Sequence, residues 1–185
     1  MTGLSRRALL QRGGHLGLSA LGLGAVGLGA LRPGLQTAWA DGLHVGQAAP
    51  VAVLHTLDGR TLSTANLRGK VIILTFWATW CDPCREELPL LSRYAATHAA
   101  QGLRVLGFCL DGADRLEQVR AVAETLSFPV GLLSSPWFGA YGRIWRIPVS
   151  FVIDRAGTLA DNGWDDPHPA WTRERLQRVI GPLLA

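Results

Sequence analysis

Two cysteines separated by two residues, Trp80-Cys81-Asp82-Pro83-Cys84, follow directly on the apolar run Val71-Ile72-Ile73-Leu74-Thr75-Phe76-Trp77. A short run of β-branched and aromatic residues predicts a buried strand, and Cys84-Arg85-Glu86-Glu87-Leu88 predicts the start of a helix. The thiols therefore fall where a strand hands over to a helix. Unpaired backbone N–H groups and the positive end of the helix dipole at such a junction favour the thiolate, the reactive form of cysteine. The junction is a place for sulfur chemistry.

The pattern on either side predicts the rest of the core. Residues 51–57 and 60–62, around Asp58-Gly59, read as a hairpin, and Arg68-Gly69-Lys70 turns the chain into the first core strand. Beyond the cysteines a helical spacing runs through Leu88, Leu91, Tyr94 and Ala95 until Gln101-Gly102 stops it. Pro89 falls inside that helix, removes a backbone donor and is expected to kink it. Residues 103–110 are a second apolar run ending at Asp111-Gly112, and a charged helix is expected from about 114 to 126. Strand, helix, strand and helix in that order imply parallel strands joined by a crossover. Residues 131–146 read as a looser aromatic segment with Trp137, Phe138, Tyr141 and Trp145. A second hairpin is expected from 149–153 and 158–160 around Asp154-Arg155-Ala156-Gly157, and a last helix from about 172 to 184.

The charge of +4 lies outside this core. Arg6, Arg7, Arg12 and Arg32 occur in the first 40 residues with no acid, leaving 14 basic against 14 acidic residues from Asp41 onward. A formally neutral domain removes the main support for nucleic-acid binding, which rests on clustered Lys and Arg. Early arginines, the stretch Leu16 to Leu31 and then Ala38-Trp39-Ala40 have the three parts of a secretory signal, with cleavage expected after Ala40. A spanning helix is disfavoured: the run is 16 residues long, holds five glycines and is closed by Arg32-Pro33, whereas a span needs roughly 20 apolar residues. Ser5-Arg6-Arg7-Ala8-Leu9-Leu10 also resembles a twin-arginine export motif. The expectation is a leader at 1–40, a mature domain at 41–185 that does not span a membrane, and a periplasmic location where a disulfide persists.

Phe76-Trp77-Ala78-Thr79-Trp80-Cys81-Asp82-Pro83-Cys84-Arg85-Glu86-Glu87-Leu88-Pro89 resembles the active-site strand and helix of the thioredoxin superfamily. Within it, the match is to the TlpA/ResA-like branch of exported bacterial thiol-disulfide oxidoreductases. Ile147-Pro148-Val149-Ser150-Phe151-Val152-Ile153-Asp154 is similar to the family's cis-proline strand. Val45-Gly46-Gln47-Ala48-Ala49-Pro50 and Leu67-Arg68-Gly69-Lys70 are similar to the branch's N-terminal hairpin. The resemblance covers most of residues 44–184. It implies an α/β, thioredoxin-like fold: a central mixed sheet flanked by helices, with an N-terminal β-hairpin extension. Three positions depart from the pattern. Thr75 stands where thioredoxin has a buried Asp, Arg146 where the branch usually has Gly, and Val149 where it usually has Thr. The first departure puts Glu87 forward as the acid/base group, and the other two bear on substrate preference.

Cys81, nearest the helix N-terminus, is then the expected nucleophile, and Cys84, nearly one helical turn on, the residue that closes a Cys81–Cys84 disulfide. A purely structural staple is the alternative, but so short a loop constrains little of the unfolded chain. Glu87, three residues after Cys84, shares a helix face with it and is a candidate to take its proton, where Glu86 reads as a surface residue. Trp80, Ile147 and a cis Pro148 are expected to meet an extended substrate segment, with Asp82, Pro83 and Arg146 tuning the potential. No cofactor or metal is expected, since His44, His55, His98 and His168 show no ligand spacing and the cysteine pair has no second pair to complete a zinc site. Cys109 reads as a buried strand residue. Trp137 and Trp145 fit either core or a platform for a partner. The resemblance implies client proteins with disulfides, of the cytochrome c or copper-site type, and a membrane thiol carrier as electron donor. A disulfide oxidase or isomerase, or a Cu(I)-binding module using the same thiolates, are the alternatives. A peroxidase is disfavoured, because its reactive cysteine sits in a Pro-Thr-Cys context absent here.

Overall fold

A computed structural model of the chain describes residues 42–185, so the expected leader and its cleavage position lie outside the described residues. The strands are β1 (Val53–His55), β2 (Thr61–Ser63) and β3 (Val71–Trp77), followed by helix α1 (Asp82–His98) and β4 (Leu103–Cys109). Helix α2 (Leu116–Ala123), strands β5 (Val130–Leu132), β6 (Val149–Ile153) and β7 (Leu159–Asn162), and helices α3 (Arg173–Val179) and α4 (Gly181–Leu184) complete the order.

Strand β3 is buried at all seven positions, which is why its sequence is a continuous apolar run rather than an alternation. It occupies the middle of a five-stranded sheet of order β5-β4-β3-β6-β7, parallel to β4 and antiparallel to β6. Val71, Ile73 and Trp77 point to the side covered by Leu88 and Leu91 of α1 and by Trp171, Leu176 and Ile180. Ile72, Leu74 and Phe76 point to the other, against Leu54, Tyr141, Ile144 and Phe151. Each fully buried Leu or Ile contributes roughly 1.5–3 kcal/mol, so this strand anchors both halves of the core.

The expected mixed sheet, crossover and N-terminal hairpin are present, with β1 and β2 forming their own antiparallel two-stranded sheet. Four details differ from the sequence reading. Residues 45–50 do not join the hairpin: the Gly46 amide donates to the Leu159 carbonyl, the Leu159 amide to the Gln47 carbonyl and the Ala49 amide to the Gly157 carbonyl, so this stretch runs beside the start of β7. The charged helix is shorter than expected and begins with a 3-10 turn, Ala113–Arg115. The last helix breaks at Ile180 into α3 and α4, because Pro182, in the first turn of α4, lacks the N–H that would continue the helical hydrogen bonds of α3. Finally, the segment read as loose holds β5, three residues pairing with β4, too short to show an alternation.

Gly131 explains why β5 carries a glycine. A Cβ there would stand 1.9 Å from the His55 carbonyl oxygen and 2.9 Å from Leu54 Cδ1, so only glycine lets the hairpin cross this strand. Gly131→Ala is expected to push the hairpin off the sheet and cost about 1–3 kcal/mol, read as a lower urea midpoint in chemical unfolding.

Candidate active site

The C-terminal end of β3 delivers the chain to the cysteines, and three strands converge there. Trp77 is in register with Cys109 at the end of β4, and Phe76 with Val149 at the start of β6. Pro148, whose bond to Ile147 is cis, therefore lies across from the chain leaving β3. Ala78 to Cys81 make a turn in which the Cys81 amide donates to the Ala78 carbonyl at 3.2 Å.

Cys81 is the N-cap of α1, and its Sγ accepts from the Cys84 amide at 3.3 Å. Pro83 stands in the first turn, where a missing N–H costs nothing. Asp82 adds a negative charge at the dipole's positive end, loosely paired with Arg85 at 3.5 Å in solvent. Cys81 and Cys84 form a disulfide with their Cα atoms 5.3 Å apart. Both sulfurs are covered, Cys81 at 5% exposure and Cys84 at 0%, whereas Trp80 is 57% exposed. Trp80 is thus the exposed side chain next to a covered cysteine pair.

The buried face of α1 runs through Cys84, Glu87, Leu88, Leu91, Ser92 and Ala95, the three-and-four spacing of one helix side. Glu87 lies on that stripe at 4% exposure, while Glu86 faces solvent. Its Oε2 accepts from the Trp171 amide at 2.6 Å, and its Oε1 is buried without a hydrogen-bond partner. Burial raises the Glu87 pKa from 4.5 to about 7, against the opposing pulls of the Trp171 N–H and the Arg175 charge. Such a carboxyl can hold or release a proton at neutral pH, and Oε1 is the atom free to do so. Thr75, on the same side of β3, is fully buried with an unpartnered hydroxyl.

On the cis-proline side, Ile147 is half-buried and Pro148 buried, so what this strand end offers a partner is backbone. Trp145 and Trp137 are 69% and 64% exposed, which places both on the surface rather than in the core. Trp145 stacks on Trp164 with ring centres 5.6 Å apart. The Arg146 guanidinium lies 5.4 Å from the Trp145 ring and 5.7 Å from the Trp164 ring. Its Nη2 donates to the carbonyls of Gly163, Trp164 and Asp166 at 2.7, 3.1 and 2.8 Å. Its head group is engaged in holding the loop after β7.

Asp111 is a member of the site that sequence reasoning took for the end of a strand. Its side chain is fully buried, and it accepts from the Thr79 amide at 2.7 Å and the Thr79 hydroxyl at 2.9 Å. It thereby ties the turn carrying Cys81 to the end of β4. Cys109 donates its S–H to the same carboxylate at 3.1 Å, and burial pushes its thiol up, out of the reactive range. Cys109 is a buried strand residue, as its apolar surroundings implied. Among the described residues no group of three His, Cys, Asp or Glu side chains is arranged to hold a metal ion.

Residues 45–162 match the AhpC/TSA family, and the chain belongs to that family. Over 123 residues, 65% of this chain and 71% of the relative, it is 36% identical to the thioredoxin-like protein YneN of Bacillus subtilis (strain 168). It is 29% identical over 120 residues to the thiol-disulfide oxidoreductase ResA of Bacillus thuringiensis (strain Al Hakam), covering 64% and 69% of the two chains. Among solved structures, a thiol:disulfide interchange protein of the thioredoxin family from Chlorobium tepidum TLS superimposes with a TM-score of 0.62 at 28% identity, over 75% of this chain and 97% of that one. The fold is thioredoxin-like, and thiol–disulfide oxidoreductase chemistry is common to the relatives and to the geometry of this site.

Two outcomes follow from these contacts. Asp111→Ala removes both acceptors of Thr79 and is expected to cost about 1–3 kcal/mol, measured by urea unfolding of the oxidised protein. Glu87 generates a pH dependence of defined sign. Between pH 4.5 and about 7 the folded protein keeps a proton on Glu87 that the unfolded chain has lost. Stability linked to this group is therefore fully present below pH 4.5 and is lost as pH rises through about 7. Relative to Glu87→Gln, which keeps an acceptor for the Trp171 amide, the wild type is expected to lose roughly 3 kcal/mol across that window, read from urea unfolding at a series of pH values.

Proposed function

We propose that this member of the AhpC/TSA family is a periplasmic protein-disulfide reductase whose Cys81 attacks, whose Cys84 resolves and whose Glu87 takes the Cys84 proton. The observation that supports this reading best is the buried Glu87, one turn along the helix from Cys84, with one carboxyl oxygen held by an amide and the other unengaged. In the reduced enzyme the Cys81 thiolate, held at the helix N-terminus, attacks one sulfur of a client disulfide. The client's other sulfur leaves as a thiolate and is protonated. Cys84 then gives its proton to the Glu87 carboxylate and, as thiolate, attacks Cys81 Sγ; the second client sulfur departs with the electron pair. Two electrons have passed to the client, and the enzyme holds the Cys81–Cys84 disulfide.

Ile147, the backbone beside Pro148 and the exposed Trp80 are the proposed docking surface for an extended client segment. A buried carboxylate beside the pair disfavours thiolates and pushes toward reductant, while the helix N-terminus and the Cys84 amide push back; Asp82 and Pro83 sit in the same turn. Each 30 mV of potential is only about 1.4 kcal/mol, so the direction rests on the balance of these groups. The leader at residues 1–40 supports export, with residues 41–185 as the working domain. Among the described residues no helix is long and apolar enough to cross a membrane. The clients in this reading are exported apoproteins of the cytochrome c or copper-site type, and a membrane thiol carrier restores the dithiol.

Reduction of insulin by the dithiol form is the direct test. Turnover lost in Cys81→Ser, a client-bound mixed disulfide accumulating in Cys84→Ser, and a potential toward the thioredoxin end of the scale are the expected results. A potential at the strongly oxidising end would make the enzyme an oxidase or isomerase, and stoichiometric Cu(I) retention without turnover would make it a copper module. Glu87→Gln is expected to slow the Cys84 attack on a preformed mixed disulfide by roughly 10²-fold near neutral pH, followed by stopped flow.

A further inference from the structure

The amide that holds Glu87 belongs to a segment gathered around one side chain. Arg175, on α3, is 3% exposed. Its Nη2 donates to Asp161 Oδ2 at 2.7 Å, its Nε to Asp166 Oδ2 at 3.1 Å and its Nη1 to the Pro169 carbonyl at 3.1 Å. The guanidinium also lies 4.1 Å from the centre of the Trp171 ring, and Trp171 Nε1 donates to Ser150 Oγ at 3.0 Å, which pins the ring to β6. All of these partners of Arg175 come from residues 161–171, the stretch that ends at the amide donating to Glu87. A planar, permanently charged fork can bond in three directions and stack on a ring at once, whereas a lysine ammonium cannot.

We propose that Arg175 is the positioning residue for Glu87: it clamps residues 161–171 around the Trp171 ring, fixes the amide that Glu87 Oε2 accepts from, and places a permanent cation behind that anchor. The proposal rests on the reading of Glu87 as the proton carrier, and gives that residue's charge a second determinant besides burial. Several elements meet at this point. Helix α1 brings Glu87 and Cys84, β7 brings Asp161, the loop after it Asp166, and α3 brings Arg175 and Arg178. Strands β3 and β6 bring the neutral Thr75 and Ser150. Arg178 acts on Asp161 and Asp166, and Arg175 on both of these and on Glu87. The Asp161 carboxylate, 2.7 Å from Arg175 Nη2, offsets part of the positive charge that Glu87 would otherwise feel.

The test is a carbon-13 titration of the Glu87 carboxyl by NMR in the whole chain with the Cys81–Cys84 disulfide closed, so that neither cysteine titrates. Arg175→Met is expected to raise the Glu87 midpoint by about one pH unit. Asp161→Asn, which removes a counter-charge from Arg175, is expected to lower it. Shifts of opposite sign uphold the proposal, because simple loosening would move both variants the same way. An unmoved midpoint in either variant, or shifts of the same sign, overturns it. Should Arg175→Met not fold, Asp161→Asn decides alone: a lowered midpoint upholds the proposal and an unchanged or raised one overturns it. The pH profile of Cys84 attack on a mixed disulfide, taken on the same variants, separates the two ideas. A profile that fails to follow a moved midpoint leaves Arg175 as the positioning residue and removes Glu87 from the proton transfer.

Discussion

A strand buried on both faces must bring the chain out of the core at its end, and in this protein that exit carries the chemistry. Seven covered positions on β3 leave Ala78 to Cys81 as the first place where the backbone can turn, and α1 begins at once because Cys81 and Pro83 suit its first turn. The reactive pair is therefore set by the packing of a strand that ends four residues before it. Cys81 gains an amide donor from the helix, and Cys84 falls on the helix's buried side. Cys81 caps the helix at its first turn, and Cys84 faces the interior.

The interior it meets is polar in a controlled way. Glu87 lies among apolar side chains with a single amide as partner, and the cost of keeping a charge there is what brings its proton affinity to neutrality. Thr75, where the thioredoxin pattern has an acid, offers only a hydroxyl. Two carboxylates at that depth would compete, since like charges in a low-dielectric site cannot both ionise without a large penalty. Thr75 and Glu87 thus read together: the buried acid on the Cys84 face of the site sits on the helix instead of the strand.

Two arginines hold the loop between β7 and α3 from its two ends. Arg146 binds the carbonyls of Gly163, Trp164 and Asp166, and Arg175 binds the carboxylate of Asp166. Asp166 is the residue they share. The loop thereby joins the strand end bearing the cis-proline to the amide on Glu87, through contacts that are each a charge-assisted hydrogen bond. Asp111 does the equivalent work on the opposite side of the site, fastening the turn before Cys81 to β4.

What the sequence determined by itself was local. A continuous apolar run, a cysteine pair and a three-and-four helical spacing specify β3, the junction and the buried side of α1, because each depends on neighbours within about two turns. Spacing put Glu87 on the same helix face as Cys84, and it was the resemblance to the thioredoxin-like pattern, with Thr75 in place of its buried acid, that singled it out. The register of the sheet and the surface position of Trp145 and Trp137 were decided only by the tertiary structure. So were the anchoring of Thr79 by Asp111, 32 residues away, and of Glu87 by Trp171, 84 residues away. A hydrogen bond between residues so far apart leaves no period or spacing in the chain. Its partners are chosen by which strand ends and loops the topology brings together, and a buried carboxyl's proton affinity is set by that choice.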